Sequence, residues 1–151
     1  MRAIIQRVAW ARVEVGGEIV GEIGRGALGL LGVVRGDGEA DADAIARKLV
    51  ALRMFPNRTP MDLSLKDIGG GVLLISQFTL AADLGKGNRP SFEPAEEPVA
   101  AERLYDRVVA AVASAGIPVG TGRFGADMQV SLCNDGPVTF LLEAKDGRLI
   151  T

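Results

Sequence analysis

Two short segments of the sequence carry the residue types that could do chemistry: Ser-Gln-Phe-Thr-Leu at residues 76–80 and Asn-Asp-Gly-Pro-Val-Thr at residues 134–139. The chain contains no histidine and a single cysteine, Cys133. Triads that need histidine, Cys–His pairs and histidine-rich metal sites are therefore excluded. Any reaction must depend on carboxylates, hydroxyls, backbone amides or groups that the substrate supplies.

The first segment offers two hydroxyls, Ser76 and Thr79, at the end of an apolar stretch. A Ser or Thr nucleophile needs a neighbouring base, and the segment has neither histidine nor an adjacent lysine. A hydroxyl at a strand end more often satisfies the backbone. In an extended strand, Ser76 and Phe78 would face one side while Gln77 and Thr79 face the other. The residue types alone do not decide whether Ser76 and Thr79 act as nucleophiles or only satisfy the backbone.

The second segment has two interpretations. Asn, Asp, Gly and Pro all favour turns, so residues 134–137 would be a hairpin turn between strands at 128–132 and 138–144. Alternatively, Gly136–Pro137 would be a cis dipeptide, although only about 5–6% of X–Pro bonds in folded proteins are cis. Two neighbouring carbonyls would then face one side and form a rigid acceptor surface.

Charged residues near these segments are open to two interpretations. Lys86, Arg89 and Arg123 flank glycines, and they would be either solvated or in contact with phosphate. Three carboxylates close to the second segment could in principle bind a metal; they belong to Asp127, Asp135 and Glu143. Their spacing matches no recognised metal motif. We therefore predict no metal and no cofactor.

The composition is typical of a soluble globular domain. The chain has 151 residues, of which 48% are hydrophobic and 24% charged, and its formal net charge is −2. Proteins that grip long nucleic acids usually have a basic face, so we expect contact with only a small part of any RNA. No apolar run approaches the ~20 residues that span a bilayer. The lone cysteine and the absence of an apolar leader predict a cytoplasmic protein.

The order of apolar and turn residues predicts one α+β domain over residues 1–151, with a curled, mostly antiparallel sheet or barrel and two main helices. Gly16-Gly17 predicts a hairpin, Pro56 the end of the first helix and Pro98 the start of the second. Trp10 is expected in the core. Strands are predicted over residues 2–15, 19–23, 27–34, 72–78, 128–132 and 138–144, a strand or turn over 119–124, and helices over 39–55 and from 98 to about 115.

Together, these segments resemble the D-aminoacyl-tRNA deacylase family. The resemblance covers essentially the whole chain, since it extends in order through MRAIIQRV, GEIG, LLGV, SQFTLAAD, GNRPSF, LYD, TGRFGADMQVSL and NDGPVTF. Gly125 stands where a small residue, often alanine, is expected. The tail after Glu143 is several residues longer than usual. Neither departure touches the two segments.

The resemblance implies a homodimer that hydrolyses the ester between a D-amino acid and the 3′ end of tRNA. Gly136–Pro137 would reach from one subunit into the site of the other, hold the amino group with its carbonyls and exclude L-residues. Glycyl-tRNA would also be accepted, because glycine has no Cβ. The 2′-hydroxyl of the terminal ribose would assist proton transfer, in preference to a nucleophilic Thr79.

The resemblance also implies which residues form the site. The catalytic segment would consist of Ser76, Gln77, Phe78 and Thr79, which would line the pocket for the terminal adenosine and the reaction centre. The substrate would further be contacted by Met128, Lys86 and Arg89, beside Gly136 and Pro137.

The residues without the resemblance fit three rival functions. The first is hydrolysis of another ester or amide through Thr79 or Ser76. The second is a non-catalytic dimeric domain that binds a nucleotide with its glycine-rich loops. The third is that of a protein from the same superfamily with relaxed substrate selection, in which Gly136–Pro137 is trans and the amino acid pocket is wider.

Overall fold

The computed structural model describes residues 1–151 as two helices packed against a curled seven-stranded sheet. The strands are β1 Arg2–Val15, β2 Glu18–Ile23, β3 Gly26–Gly32, β4 Gly71–Ser76, β5 Val119–Thr121, β6 Gln129–Lys145 and β7 Arg148–Leu149. The helices are α1 Glu39–Ala51 and α2 Pro98–Ser114, and a 3-10 turn covers Phe78–Ala81. Four strand pairings are antiparallel and two are parallel, which confirms the predicted fold class.

The long strand β1 organises the sheet. On one side it pairs with β3 through its first half and with β2 through its second half, and on the other side it pairs with β6. The predicted β1–β2 hairpin is confirmed. Its turn residues, Gly16 and Gly17, have φ values of +58° and +83°, as a tight two-residue hairpin requires.

Strands β3, β4 and β5 run parallel to one another. Leu31 lies opposite Ser76, so β3 and β4 end at the same edge of the sheet. Both strands are almost wholly buried, as their continuous apolar sequences predict. The 3-10 turn Phe78–Ala81 follows directly at this edge, which is where the first chemically interesting segment lies.

The predicted hairpin at residues 134–137 is wrong. Residues on both sides of this segment pair with the same neighbour, β1, so the chain continues in one direction as the single strand β6. Gln6 lies opposite Thr139, whereas Val8 lies opposite Asn134. Residues 135–138 therefore bulge out of the ladder. The peptide bond of Gly136–Pro137 within this bulge is cis.

The predicted helix from residue 98 to about 115 is confirmed as α2, Pro98–Ser114. Its buried stripe consists of Ala101, Leu104, Tyr105, Val108 and Val112. No helix in the structure is both long and apolar enough to cross a bilayer.

Helix α1 ends at Ala51, four residues before the predicted end at Phe55. Met54 and Phe55 are fully buried, and Phe55 exchanges backbone hydrogen bonds with Leu63 at 3.0 and 2.9 Å. This tertiary pairing requires an extended backbone and outweighs the helical pattern of the sequence.

Two apolar layers hold the elements together. The larger layer lies between the sheet and the helices, where Ile5 and Leu31 pack with Leu49 and Val108. The smaller layer fills the inside of the curl formed by β1–β4. Gly21 allows β2 to close over this layer, because a Cβ at Gly21 would collide with the Thr121 carbonyl oxygen.

The expectation that Trp10 lies in the core is wrong. Its side chain is 43% exposed, and the Arg12 guanidinium lies 5.8 Å from the ring centroid. The pairing of β1 with β6 shifts register between Val8 and Trp10. This irregularity breaks the alternation of buried and exposed residues, so that both Ala9 and Trp10 face outward.

Candidate active site

A cavity of about 480 Å³ opens where β4 ends. Its walls come from three segments, residues 75–78, residues 95–101 at the start of α2, and residues 124–130 before and within β6. The cavity brings together four residues predicted for the site: Ser76, Gln77, Phe78 and Met128. This grouping makes the cavity the candidate active site.

The backbone of residues 76–80 is fixed by hydrogen bonds at both ends. The Gln77 N–H donates to the Leu31 carbonyl at 2.7 Å, which extends the parallel pairing by one bond. The Leu80 N–H then donates to the Gln77 carbonyl at 3.2 Å, and the chain turns. Arg2 Nη1 donates to the Leu80 carbonyl at 2.8 Å. The predicted alternation in an extended strand is therefore wrong beyond Ser76.

Gly32 is the reason that the turn can pack so closely on the sheet. A Cβ at Gly32 would lie 2.7 Å from the Leu80 Cβ and 2.9 Å from the Gln77 carbonyl oxygen. Both distances are too short for real atoms. The absence of a side chain at this position thus sets the position of the turn.

Neither hydroxyl of the segment has an activating partner. The Gln77 amide donates to the Thr79 hydroxyl, and no ionisable side chain hydrogen-bonds to either Ser76 or Thr79. Thr79 is exposed and does not line the cavity. The geometry therefore favours a structural role for both hydroxyls over nucleophilic attack.

The inner wall of the cavity is braced by Tyr105. Its hydroxyl donates to the Leu74 carbonyl at 2.7 Å, and its ring lies 6.1 Å, centroid to centroid, from Phe124 of the cavity wall. Burial, helped by the charge of Asp106, raises the pKa of Tyr105 to about 12. The phenol therefore remains protonated at neutral pH and keeps donating this hydrogen bond.

An aromatic pair stands at the mouth of the cavity. Phe78 and Phe92 contact edge to face, with centroids 4.9 Å apart and an interplanar angle of 62°. Both rings are substantially exposed. Because an aromatic face can stack on a nucleobase, this pair suits a nucleotide at the mouth.

The charged residues that line the cavity are acidic. They are Glu96 and Asp127, so the cavity favours a cationic group such as an amine. Lys86 and Arg89 are exposed in the loop between the 3-10 turn and α2, and they do not line the cavity. No group of three or more acidic or thiol side chains converges where it could hold a metal ion.

Sequence reasoning missed most of the opposite walls, including Glu96, Pro98, Ala101, Phe124 and Ala126. A signal for part of this set exists in the sequence. Phe124 and Ala126 stand within the segment TGRFGADMQVSL, only a few residues before Met128. Pro98 and Ala101 belong to the first turn of α2, and only the tertiary structure brings them to the cavity.

Gly136–Pro137 lies outside the cavity of its own chain. Both residues are exposed, and no residue of the second segment lines the cavity. Arg7 holds the bulge, since its Nε donates to the Asp135 carbonyl and its Nη1 to the Met54 carbonyl, both at 2.8 Å. The structure of one chain thus does not bring the two predicted segments together.

The family model described as D-Tyr-tRNA(Tyr) deacylase matches residues 4–143. The chain belongs to this deacylase family. The resemblance seen in the sequence is thereby confirmed. Both segments and every residue that lines the cavity lie within the matched range, whereas strand β7 lies beyond it.

Individual proteins are similar to this chain over nearly its whole length. A D-aminoacyl-tRNA deacylase of Pelobacter propionicus is 56% identical over 144 residues, which cover 95% of this chain and 99% of the relative. A solved structure of a c-Myc DNA Unwinding Element Binding Protein has a TM-score of 0.90 at 37% identity, over 96% of this chain and 99% of that one. A probable eukaryotic D-amino acid tRNA deacylase shares the fold at a TM-score of 0.80, with 18% identity over 93% and 97% of the two chains.

Proposed function

We propose that this protein hydrolyses the ester bond of D-aminoacyl-tRNA and releases the D-amino acid and the tRNA, as a cytoplasmic proofreading step of translation. The observation that carries this proposal is the 480 Å³ cavity in which Ser76–Phe78 meet Met128, in a chain that belongs to a deacylase family. The volume lies within the range of small-molecule sites and would admit the terminal adenosine with its acyl group.

The active enzyme in this proposal is a homodimer in which Gly136–Pro137 enters the cavity of the other subunit. Two observations support it. The bulge is exposed and lies outside the cavity of its own chain. Arg7 fixes it through a hydrogen bond to the Asp135 carbonyl. The bulge is therefore a rigid projection that takes no part in the cavity of its own chain.

Selection between D- and L-residues would follow from this rigid backbone. The carbonyls of Gly136–Pro137 would accept hydrogen bonds from the α-amino group of the substrate. An L-residue held in this way would direct its Cβ into the backbone, whereas a D-residue would direct it outward. Glycine has no Cβ, so glycyl-tRNA would be hydrolysed as well.

The chemistry would need no nucleophilic side chain. An aminoacyl ester is already labile, and positioned water with backbone oxyanion donors can supply much of the acceleration. Phe78 and Thr79 begin the 3-10 turn, and their N–H groups have no acceptor within it. The 2′-hydroxyl of the terminal ribose would complete the proton transfer, while Lys86 and Arg89 would contact a phosphate next to the 3′ end.

The proposal is tested by deacylation of matched D- and L-tyrosyl-tRNA with the purified protein. We expect rapid release of tyrosine from the D-ester and none from the L-ester. Equal release from both esters would retain the hydrolase but reject exclusion by Gly136–Pro137. Release from neither ester would reject the proposed activity and favour a non-catalytic nucleotide-binding domain.

The role of the Thr79 hydroxyl is tested separately by Thr79→Ala. Because no base contacts this hydroxyl, we expect the single-turnover rate on D-tyrosyl-tRNA to stay within about tenfold of the wild type. Thr59→Ala, in an exposed loop, is the matched control. A loss of about a thousandfold or more with intact tRNA binding would instead identify Thr79 as the nucleophile.

A further inference from the structure

The positive charges of this protein fall into two groups. Many arginines are neutralised by carboxylates in ion pairs; they are Arg2, Arg7, Arg12, Arg35, Arg53, Arg103 and Arg107. The other arginines and lysines form no ion pair, and three of them, Arg47, Lys48 and Arg148, line one groove. The groove lies between the second half of α1 and strand β7 and has a volume of about 430 Å³.

The remaining walls of the groove are small or apolar. They consist of Ala44, Ala51, Gly147 and Leu149, so that no carboxylate lines the groove. Small side chains leave the three cationic groups accessible to a partner larger than water. An anionic partner would therefore meet no carboxylate within the groove itself; the exposed Asp146 lies in the adjoining turn.

The acidic residues of α1 form their hydrogen bonds and ion pairs with groups other than these three cations. Asp43 receives two hydrogen bonds from Arg107, at 2.8 and 2.9 Å. That contact lowers the pKa of Asp43, and the nearby charge of Arg47 adds to the effect. Glu39 pairs with Arg103 and Arg107.

Asp41 is engaged in the same way. Its carboxylate accepts from the N–H groups of Gly38 and Gly147 at 2.8 and 2.9 Å. Burial alone would raise the pKa of Asp41, but these two hydrogen bonds and the nearby charge of the N-terminus together outweigh it and lower the pKa. The bond to Gly147 also fixes the turn between β6 and β7 against α1, which holds the groove open.

The β6–β7 hairpin adds a further unneutralised charge. Lys145 lies directly opposite Arg148 across the hairpin, and like charges in this arrangement are destabilising. Asp146, in the turn between them, forms no ion pair. Cations near the end of a helix are favoured by its dipole, which accounts for Lys48 but not for Lys145 or Arg148.

The groove lies near the same edge of the sheet as the candidate active site. Strand β6 runs parallel to β3 and β4, since each of β3 and β6 is antiparallel to β1. Arg2 bridges this edge, because it donates to the Leu80 carbonyl and to the Glu143 carboxylate. Glu143 is followed two residues later by Lys145. One extended polyanion could therefore reach both places.

We propose that this groove binds the phosphate backbone of the tRNA substrate beyond its aminoacylated 3′ end, an inference that rests on the proposed function. A protein of net charge −2 has no general attraction for RNA, so a local cluster of unpaired cations must supply it. The wall formed by β7 lies outside the range that the family model matches.

The test is the double substitution Lys48→Gln with Arg148→Gln. Binding of fluorescently labelled, uncharged tRNA is measured as a function of salt, together with kcat/KM for D-tyrosyl-tRNA and for the D-tyrosyl ester of adenosine. We expect the slope of log K against log salt to fall by about two and tRNA affinity to drop about tenfold. Hydrolysis of the adenosine ester is expected to remain at the wild-type rate, which also shows that the variant is folded.

The matched control is Arg58→Gln with Lys66→Gln, which removes the same charges from an exposed loop where neither side chain is ion-paired. Equal loss of tRNA affinity in both double variants would overturn the groove as the contact. Competition by polyglutamate as strong as that by tRNA would assign the groove to an acidic protein instead. If the wild type bound tRNA through the groove but hydrolysed neither D-ester, the proposed function would be rejected. The groove would still be assigned as a tRNA-binding surface.

Discussion

Replacement of Gly136 by alanine is expected to lower kcat/KM for D-tyrosyl-tRNA by about a hundredfold or more, because small displacements of a positioning group can cost this much. Gly136 has a φ of +141°, a region that side-chain-bearing residues rarely adopt. A Cβ there would lie 2.7 Å from the Val138 Cγ2 and 3.0 Å from the Arg7 Nη2. The bulge must therefore shift, and with it the carbonyls proposed to hold the amino group.

The measurement is single-turnover hydrolysis of the D- and L-esters by the purified variant. Because Gly136 is exposed on a bulge, the fold should survive, and circular dichroism checks this. Gly24→Ala is the control, since a Cβ at Gly24 meets no atom within 4 Å and its φ is not positive. Wild-type rates on the D-ester, with the L-ester still refused, would remove Gly136 from the proposed site.

The elements with one strong local signal were predictable from the sequence. The paired glycines at 16–17 indicate a tight hairpin turn, and the apolar stripe after Pro98 indicates an amphipathic helix; neither pattern fits another structure as well. The errors arose where a distant partner decided the outcome. Phe55 leaves the helical pattern of α1 because its backbone pairs with Leu63.

The second segment illustrates the same limit at the functional level. Its Asn, Asp, Gly and Pro favour a turn locally, but pairing with β1 on both sides of the segment keeps the chain in one strand. No local pattern reports that both flanks share one partner. The register shift that turns Trp10 outward has the same origin.

The candidate site was only partly predictable for a geometric reason. Ser76–Phe78 were identifiable because they follow a buried strand, and Met128 entered through the family resemblance. Pro98 and Ala101 reach the cavity only because the tertiary structure places the first turn of α2 beside the end of β4. Gly136–Pro137 does not reach the cavity of its own chain. The order of motifs along the sequence therefore does not reveal which motifs lie together in space.

Gly32→Ala is expected to reduce activity strongly although Gly32 does not line the cavity. The added methyl group would press on the Gln77 carbonyl oxygen at 2.9 Å and on the Leu80 Cβ at 2.7 Å. Since the first contact is with backbone, the 3-10 turn must move away from the sheet. We expect the free energy of unfolding to fall by about 1–3 kcal/mol and kcat/KM for D-tyrosyl-tRNA to fall about a hundredfold.

A matched substitution on the same strand separates these two effects. A Cβ at Gly29 would lie 2.7 Å from the Leu74 Cδ2, the flexible end of a core side chain, and it does not touch the turn. Gly29→Ala is therefore expected to lose comparable stability and to keep most of its activity, when both variants are measured well below their unfolding temperatures. If both variants lost activity in proportion to stability, the position of the turn at residues 76–80 would not control catalysis. A specific loss in Gly32→Ala would instead mean that the backbone of this turn, rather than any side chain on it, is the part of the site that must be held in place.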